Sequence, residues 1–357
     1  MKANKGEWSE VYVFLKLLSE GKIYGADENL NKINDIFYTL IKIIRYNDNE
    51  QLEFFHDTNI KIYNTDHKLL LSLPIIDFKE KAIKLLDEIK NASGSSFEVP
   101  EIESFMNKIY CTKIKAPSRE KRDITIVVKD LELGAEPELG FSIKSQIGNP
   151  STLLNAGQTT NFIYEVKNIE ENLVEEINSI EGRSKIKDRL KKIKDLGGVV
   201  EYSSMQSQTF KNNMEIIDSS LPELIAEYVF SFFTDSSNKI SDLTDDIISK
   251  DPLSIGDDNR NAFYKNKIKH FLRSVSLGMT PTNSWDTNNE VTGGFIVVKK
   301  DGEILCYHIY NKEDFENYLY KNTKFDTASS GRHRFGFLYA DENKIFFKLN
   351  LQIRFIT

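Results

Sequence analysis

Apolar residues recur at helical spacing near the start of the chain. Val11, Phe14, Leu15 and Leu18 share one stripe, and Gly21 stands just past it. The pattern predicts an amphipathic helix from about Glu7 to Glu20. From 36 to 76 the period changes: "IFYTLIKIIRY", "NIKIY" and "KLLLSLPII" are β-rich and separated by Asn/Asp turns, as in a meander. Helices are predicted over about 78–91 and, with Pro100 near its start, about 100–110. "DITIVVKD" (123–130) reads as a strand, and a Gly/Pro-containing loop joins it to a second strand within "PELGFSIKSQIG" (137–148). Asn149-Pro150-Ser151 predicts the start of a short helix, and "TNFIYEV" (160–166) a further strand. The stretch from about 168 to 280 reads as mostly helical, with Ile186, Leu190 and Ile193 as the inner stripe of one helix. From Gly293 the pattern is again β-rich. "GFIVVKKDGEILCYHIY" forms a hairpin around Asp301-Gly302, and "KIFFKLNLQIRFI" stands last.

The expected fold is therefore α/β: an α+β mixed sheet flanked by helices, with a helical insert and a β-rich C-terminal region. Residues 1–175 form the first part, 176–290 the helical one and 291–357 the last. With 357 residues, 40% hydrophobic and 28% charged, the composition is that of an ordinary globular protein. No apolar run approaches the roughly 20 residues needed to cross a bilayer. The N-terminal "MKANKGEWSE" lacks the apolar core of a secretory signal, so the expected location is cytoplasmic, with no membrane partner. Cys111 and Cys306 have no metal-ligand spacing, and the histidines show no zinc pattern. No phosphate-binding glycine loop is present.

The net charge of −7 argues weakly against a nucleic-acid partner, but the charge is unevenly spread. "GRSKIKDRLKKIK" (182–194) sets seven basic residues against Asp188 alone, and "KNKIKHFLR" and "GRHRF" are basic too. The stretch from Met214 to Asp258 is acidic and dilutes the total. Basic runs of this kind serve either as solvated helix faces or as contacts to DNA.

Alternation along 137–148 puts Glu138, Gly140, Ser142, Lys144 and Gln146 on one face, opposite Leu139, Phe141, Ile143 and Ile147. In "DITIVVKD", Asp123, Thr125 and Val127 share a face. If the two strands pair, Asp123 and Lys144 meet on one side of a sheet. That combination suits metal-dependent phosphodiester cleavage. Asp123 and the carbonyl of Ile143 would hold Mg²⁺ against a phosphate, while the lysine orients or deprotonates water and offsets developing charge. The usual pattern is an Asp followed, after a variable spacer, by (Asp/Glu)-x-Lys, and here Ser142 replaces the second acid. A second carboxylate must come from elsewhere. Glu138 is on the same face but about 13 Å along the strand from Ser142. Glu165 lies in the following strand. Glu10, in the N-terminal helix beside Phe14 and Leu17, is preferred. The ordinary alternatives are a solvated strand face for the polar alternation and a helix-dipole charge for Glu10.

Four segments, "NKGEWSEVYVFLKLLSEGKIYGADE", "FSIKSQIGNPSTLLNAGQTTNFIYEV", "YLYKNTKFDTASSGRHRFG" and "KLNLQIRF", resemble in order the HpaII family of type II restriction endonucleases. The resemblance runs along nearly the full length. It implies a restriction-endonuclease-like core of the PD-(D/E)xK superfamily, Mg²⁺ dependence and cleavage within CCGG; in-line attack by a water that Lys144 positions would leave 5′-phosphate ends. It also implies active-site positions at Asp123, Ser142, Lys144 and Gln146. "KGEWSE" is similar to the Gly-x-x-x-Glu helix start of archaeal Holliday-junction resolvases, whose Glu joins the metal site, a second reason to prefer Glu10. The chain departs from the superfamily pattern at Ser142 and at Arg122, where Pro is usual. The implied partners are double-stranded DNA, a second copy of the chain on a palindromic site, and a cognate methyltransferase as functional partner without contact.

Reading G·C pairs in the major groove requires donors for guanine and acceptors for cytosine. Arg332, His333 and Arg334 follow a Ser-Ser-Gly turn, with Asn322 and Lys324 nearby. Asn155, Gln158 and Thr159 stand beside the active strand. Lys187, Lys191 and Lys192 on the basic helix would contact phosphates, which position without specifying. Two rivals remain open: a structure-specific or repair nuclease of the same fold, and a DNA-binding protein that lost catalysis with its missing acid.

Overall fold

The computed structural model of the chain describes all residues except 48–49, 115–121, 130–133, 236, 257, 289–290 and 357. The predicted strand end at Asp130 and part of the loop after it thus lie outside the described residues. The chain divides into two compact units. The first comprises 1–151, 289–318 and 357, and the second 152–288 and 319–356. Among the described residues, no helix is long and apolar enough to cross a membrane.

The first unit begins with helix α1 (Lys5–Glu20). Asn4 caps it: its side chain accepts from the Glu7 N–H at 3.0 Å, and the Glu7 carboxylate accepts from the Asn4 N–H at 2.8 Å. Gly21 ends it in the left-handed conformation at φ 67°. Trp8, Val11, Phe14, Leu15, Leu17 and Leu18 are fully buried, so the helix is a core element and wider in its apolar contacts than one stripe. Then come β1 (Lys22–Ala26), β2 (Lys32–Asn47), β3 (Glu50–His56), β4 (Asn59–Tyr63) and β5 (Leu69–Pro74), with α2 (Ile75–Asn91) and α3 (Pro100–Lys108) after them. The predicted meander and both predicted helices are present. Phe78, Ala82, Leu85 and Ile89 form the buried stripe of α2, which packs against α1.

Strands β6 (Ile124–Lys129) and β7 (Glu138–Ser145) pair antiparallel, with Ile124 opposite Phe141 and Thr125 opposite Gly140. The predicted hairpin forms β8 (Gly294–Val298) and β9 (Ile304–His308). Strand β8 runs parallel to β7, Phe295 beside Ser142 and Val297 beside Lys144. The late hairpin thus completes the sheet that carries the early strands. The order is β1-β9-β8-β7-β6-β2-β3-β4-β5, and β1 pairs with β2 as well, so six strands close into a mixed, barrel-like ring from which β3 to β5 extend. The mixed α/β expectation holds in this coarser form, but the sheet is not simply open. Closure depends on β2, whose 16 residues serve β1 with one end and β6 with the other. Irregularities at Tyr24/Gly25 and Leu40/Lys42 mark the bends such closure needs.

The second unit holds an antiparallel sheet in the order Val199–Met205, Asn161–Lys167, Lys344–Asn350, Leu338–Asp341. A smaller sheet joins Thr152–Leu154, Ile353–Phe355 and Thr323–Phe325. Helices Gln208–Ile217, Leu221–Thr234, Ile240–Lys250 and Arg260–Leu277 fill the predicted helical region. Three expectations are corrected. No helix starts at 149–151: after Pro150 the chain forms the strand Thr152–Leu154, followed by a 3₁₀ turn at Gln158–Thr160. The helical region contains the strand "VVEYSSM", whose β-branched and aromatic residues pair with Asn161–Lys167. The β-rich end contains the helix Lys312–Asn322.

The basic helix is Lys185–Asp195, with Ile186, Leu190 and Ile193 buried as predicted. Arg189 is also fully buried. Its guanidinium donates to the carbonyls of Gly336 (2.6 Å), Asn178 (2.5 Å) and Ile180 (2.8 Å) and covers the Phe337 ring. One of the seven basic residues is therefore structural. Arg189→Ala should lower stability by roughly 3 kcal/mol, since it orphans buried carbonyls. Lys191→Ala, at an exposed position, should leave the thermal midpoint unchanged, and melting curves of the two variants make the comparison.

Candidate active site

Asp123 stands immediately before β6, where its N–H donates to the Phe141 carbonyl at 2.8 Å. Its carboxylate reaches across to β7. Oδ2 accepts from the Ser142 hydroxyl at 3.0 Å and from the Ile143 N–H at 2.6 Å. Both bonds fall on the same oxygen, which fixes the carboxylate while leaving Oδ1 able to meet a cation. Ser142 is buried. In the position where the superfamily pattern has an acid, it spends its hydroxyl on orienting Asp123.

Backbone alternation explains the Ile143 contact. Phe141 directs its carbonyl toward β6, whereas Gly140 accepts from the Gly293 N–H on the other edge. Ile143, two residues after Phe141, therefore turns its N–H and its carbonyl to the edge where Asp123 stands. That places a peptide oxygen beside the carboxylate without any side chain.

Lys144 lies one same-face step beyond Ser142 and is half-buried, its ammonium 5.2 Å from the centre of the Phe295 ring. Burial pushes its pKa below the ordinary lysine range, and the carboxylates of Asp123 and then Glu10 push it back up. Both acids are thus close enough to act on the same ammonium. Glu10 sits in α1, one residue after Ser9, whose hydroxyl bonds that of Ser145 at 2.9 Å. This buried bond pins α1 next to Lys144. Glu7, its neighbour one turn earlier, is occupied in the helix cap.

The remaining candidates are dispersed. Gln146 is half-buried just beyond β7, its N–H donating to the Val298 carbonyl at 2.8 Å. Glu138 is exposed at the far end of β7, opposite Val127. Glu165 lies in the second unit, on a different sheet, paired with Lys344 at 3.2 Å. The face carrying Gly140 and Ser142 is buried, so the polar alternation is not the solvated side of a sheet.

A hard cation such as Mg²⁺ keeps several waters and takes one or two protein carboxylates plus substrate phosphate. The expected donors, Asp123, Glu10 and the Ile143 carbonyl, are all oxygens, the ligand type such a cation takes. Among the described residues, no three His, Cys, Asp or Glu side chains are grouped to hold a metal by themselves.

The second unit carries the candidate DNA-reading residues. Ser330–His333 is a single helical turn capped by the Ser329 side chain, and Arg334 follows in the left-handed conformation at φ 54°. Arg332 and Arg334 are exposed, as are Asn155 and Gln158, while His333, Thr159 and Lys324 are half-buried. A polar network links the two loops. Asn161, fully buried, donates to the His333 carbonyl (2.9 Å) and to Gln206 (3.0 Å), and Gln206 in turn donates to Gln158 at 3.3 Å. The buried Asn350 donates to Asn161 and to the Gly157 carbonyl. Asn161, Gln206 and Asn350 were absent from the sequence expectations, because nothing local marks an asparagine whose partners lie far along the chain.

On the basic helix, Lys191 is exposed, Lys192 pairs with Glu176 at 3.0 Å, and the Lys187 ammonium bonds the Asp235 carbonyl. A cleft of about 600 Å³ runs from Arg183, Ser184 and Lys187 to Thr327 and Ser329, next to the turn bearing Arg332.

The family model described as HpaII restriction endonuclease matches residues 4–355. The type II restriction enzyme HpaII of Haemophilus parainfluenzae is 45% identical over 355 residues, covering 99% of this chain and 98% of that protein. No solved structure matches. The chain belongs to the HpaII restriction endonuclease family and is a type II restriction enzyme, a site-specific deoxyribonuclease of a restriction-modification system.

Proposed function

We propose that the protein cuts both strands of DNA at CCGG, with Mg²⁺ as cofactor, leaving 5′-phosphate and 3′-hydroxyl ends. The observation that carries this reading is the Asp123 carboxylate fixed by Ser142 and the Ile143 N–H, with Lys144 one same-face step beyond Ser142 on β7. We read the ring of β1, β9, β8, β7, β6 and β2 as a restriction-endonuclease-like core, with β6 and β7 as its catalytic strands. The family resemblance supports the CCGG target, and a palindromic target favours a symmetric pair of chains.

Asp123, Glu10 and the Ile143 carbonyl would hold the metal, which when bound supplies positive charge to the scissile phosphate and acidifies water. Ser142 and the Ile143 N–H hold the Asp123 carboxylate in one orientation. Lys144, with its depressed pKa, positions the attacking water and takes or releases a proton at Nζ. Water attacks phosphorus in line, the bond to the 3′ oxygen breaks, and that oxygen leaves as a hydroxyl. Arg332, Arg334 and Gln158 face the bases, held by the network through Asn161. The exposed lysines of the basic helix lie along phosphates. Digestion of unmethylated plasmid DNA followed by sequencing of fragment ends tests the whole reading. Discrete ends within CCGG are expected, whereas binding without cutting, or cutting only of branched DNA, would sink it.

The Asp123→Ala and Lys144→Ala variants should cut slower by roughly a thousandfold or more, with little change in affinity for the site in Ca²⁺. Glu10→Gln should also slow cutting, and a wild-type rate would move the second carboxylate elsewhere, with Glu138→Gln the next variant.

The Lys144 pKa provides a separate check. Asp123 and Glu10 both raise it, Asp123 more, so removing either charge must lower it. The ammonium should deprotonate, and become open to acylation, at a lower pH in Glu10→Gln than in the parent and lower still in Asp123→Asn. Mass-spectrometric labelling of Lys144 against pH reads the order directly.

Lys191→Ala should reduce the slope of log affinity against log salt by roughly one without changing the sequence cut. Lys192→Ala should reduce it less, because Glu176 already offsets that charge. An unchanged slope for Lys191→Ala would take the basic helix out of the DNA footprint.

A further inference from the structure

Gly140 lies inside β7, between Leu139 and Phe141, opposite Thr125 on one edge; on the other its N–H donates to the Thr292 hydroxyl (2.9 Å) and its carbonyl accepts from the Gly293 N–H (2.8 Å). A glycine in a strand interior loses packing and often marks a close approach by another group. The approaching group here is Arg122. A Cβ added to Gly140 would lie 2.8 Å from Arg122 Cδ and 3.2 Å from Arg122 Cβ, closer than such carbons pack. The stem of Arg122 is therefore laid across the bare backbone of Gly140.

The face matters. A Cβ at Gly140 would point to the same side as Ser142 and Lys144, and Gly140 stands opposite Thr125, the same-face neighbour of Asp123. Arg122 thus crosses to the side of the sheet that bears Asp123, although it directly precedes Asp123 in the chain. Its guanidinium begins one bond beyond Cδ, and Ser142 is one same-face step, about 7 Å, from Gly140. Arg122 is half-buried, so its charge is only partly shared with bulk water. Guanidinium groups in such settings bind phosphate oxygens through two parallel N–H donors.

We propose that Arg122 binds the scissile phosphate and stabilises the charge that develops on it, and that Gly140 lacks a side chain to let Arg122 reach it. The proposal rests on the reading of Asp123 and Lys144 as the cleavage site. It assigns a role to the residue that stands where the superfamily pattern has proline. Lys144 and Arg122 then lie toward opposite ends of β7, on either side of the Asp123–Ser142 pair.

The test is a double-mutant cycle on single-turnover cleavage in Mg²⁺, with affinity measured in Ca²⁺ and melting curves for each variant. Arg122→Ala should cut roughly a hundredfold slower, with affinity for the site altered by no more than about threefold. Arg122→Lys should recover about a tenth of the parent rate, since it restores charge without the fork. Gly140→Ala should slow the parent about tenfold by displacing the Arg122 stem, yet leave Arg122→Ala no slower than before. A parental rate in Arg122→Ala overturns the proposal. So does an equal penalty for Gly140→Ala in both backgrounds, which would mean that Gly140 serves the sheet or the DNA directly. Should Arg122→Ala fail to fold, Arg122→Lys and Gly140→Ala alone decide. If Asp123→Ala also cuts at the parental rate, the site itself is misread, whereas a dead Asp123→Ala beside a fully active Arg122→Ala removes Arg122 alone.

Discussion

One carboxylate held by two donors of a neighbouring strand organises the end of the sheet where β6 and β7 meet. Asp123 sits where β6 begins, and Ser142 and Ile143 of β7 both donate to its Oδ2. Neither donor is available unless β6 and β7 pair in the observed register. A shift by one residue would send Ser142 and Lys144 to the opposite face. The core fixes that register, because Ile124, Ile126, Leu139, Phe141 and Ile143 are all buried in one cluster with α1. Helix α1 is tied to the same strand by the Ser9–Ser145 bond, which brings Glu10 into the field of Lys144. Packing of an ordinary hydrophobic core therefore sets the geometry of three polar groups.

The second unit solves a related problem with hydrogen bonds instead of apolar packing. Two loops that are far apart in sequence, around Gln158 and around His333, are joined through the amide of the buried Asn161. Arg189 ties the next segment by bonding the Gly336 carbonyl. On the proposed reading that this surface meets base edges, its donors would need fixed positions, which exposed arginines cannot supply by themselves. Buried amides with satisfied partners can. The basic stretch likewise divides by burial: Arg189 holds the framework, Lys192 is paired, and Lys191 faces outward.

Much of this was legible in the chain. The stripe of α1 and its Gly21 end, the meander, the two strands of the site and the late hairpin all follow from local period and turn chemistry, whereas the Asn4 cap was not foreseen. Alternation put Asp123 and Lys144 on one side of the sheet once the two strands pair, but not the bond from Ser142 to Asp123. The ring closure did not, because β2 looks like one β-rich run and nothing in its period says that its two ends serve different partners. The parallel pairing of β8 with β7 joins residues about 150 positions apart, a separation no local pattern reports. The strand at Val199–Met205 was hidden by its helical surroundings, and the helix expected at 149–151 gave way to pairing of Thr152 with Arg354. Gly140 did carry a readable signal, an interior strand glycine, but the residue it makes room for emerges only from the fold.

The serine in place of the second acid has a consequence for how such a site would work. A second carboxylate at position 142 would stand directly against Asp123 and strengthen metal binding in the free enzyme. Ser142 adds no charge and donates to Asp123, so on the proposed reading a cation would meet one fixed carboxylate, the Ile143 carbonyl and Glu10. A cation needing about six oxygens would find the rest in water and in the phosphate. On this reading the complete coordination sphere exists only when DNA is in place. The proposed Arg122 over Gly140 would place positive charge nearby and favour the phosphate before the metal. Sparse acidity at position 142 would then couple metal binding to substrate binding, which suits an enzyme whose cutting must wait for the correct sequence.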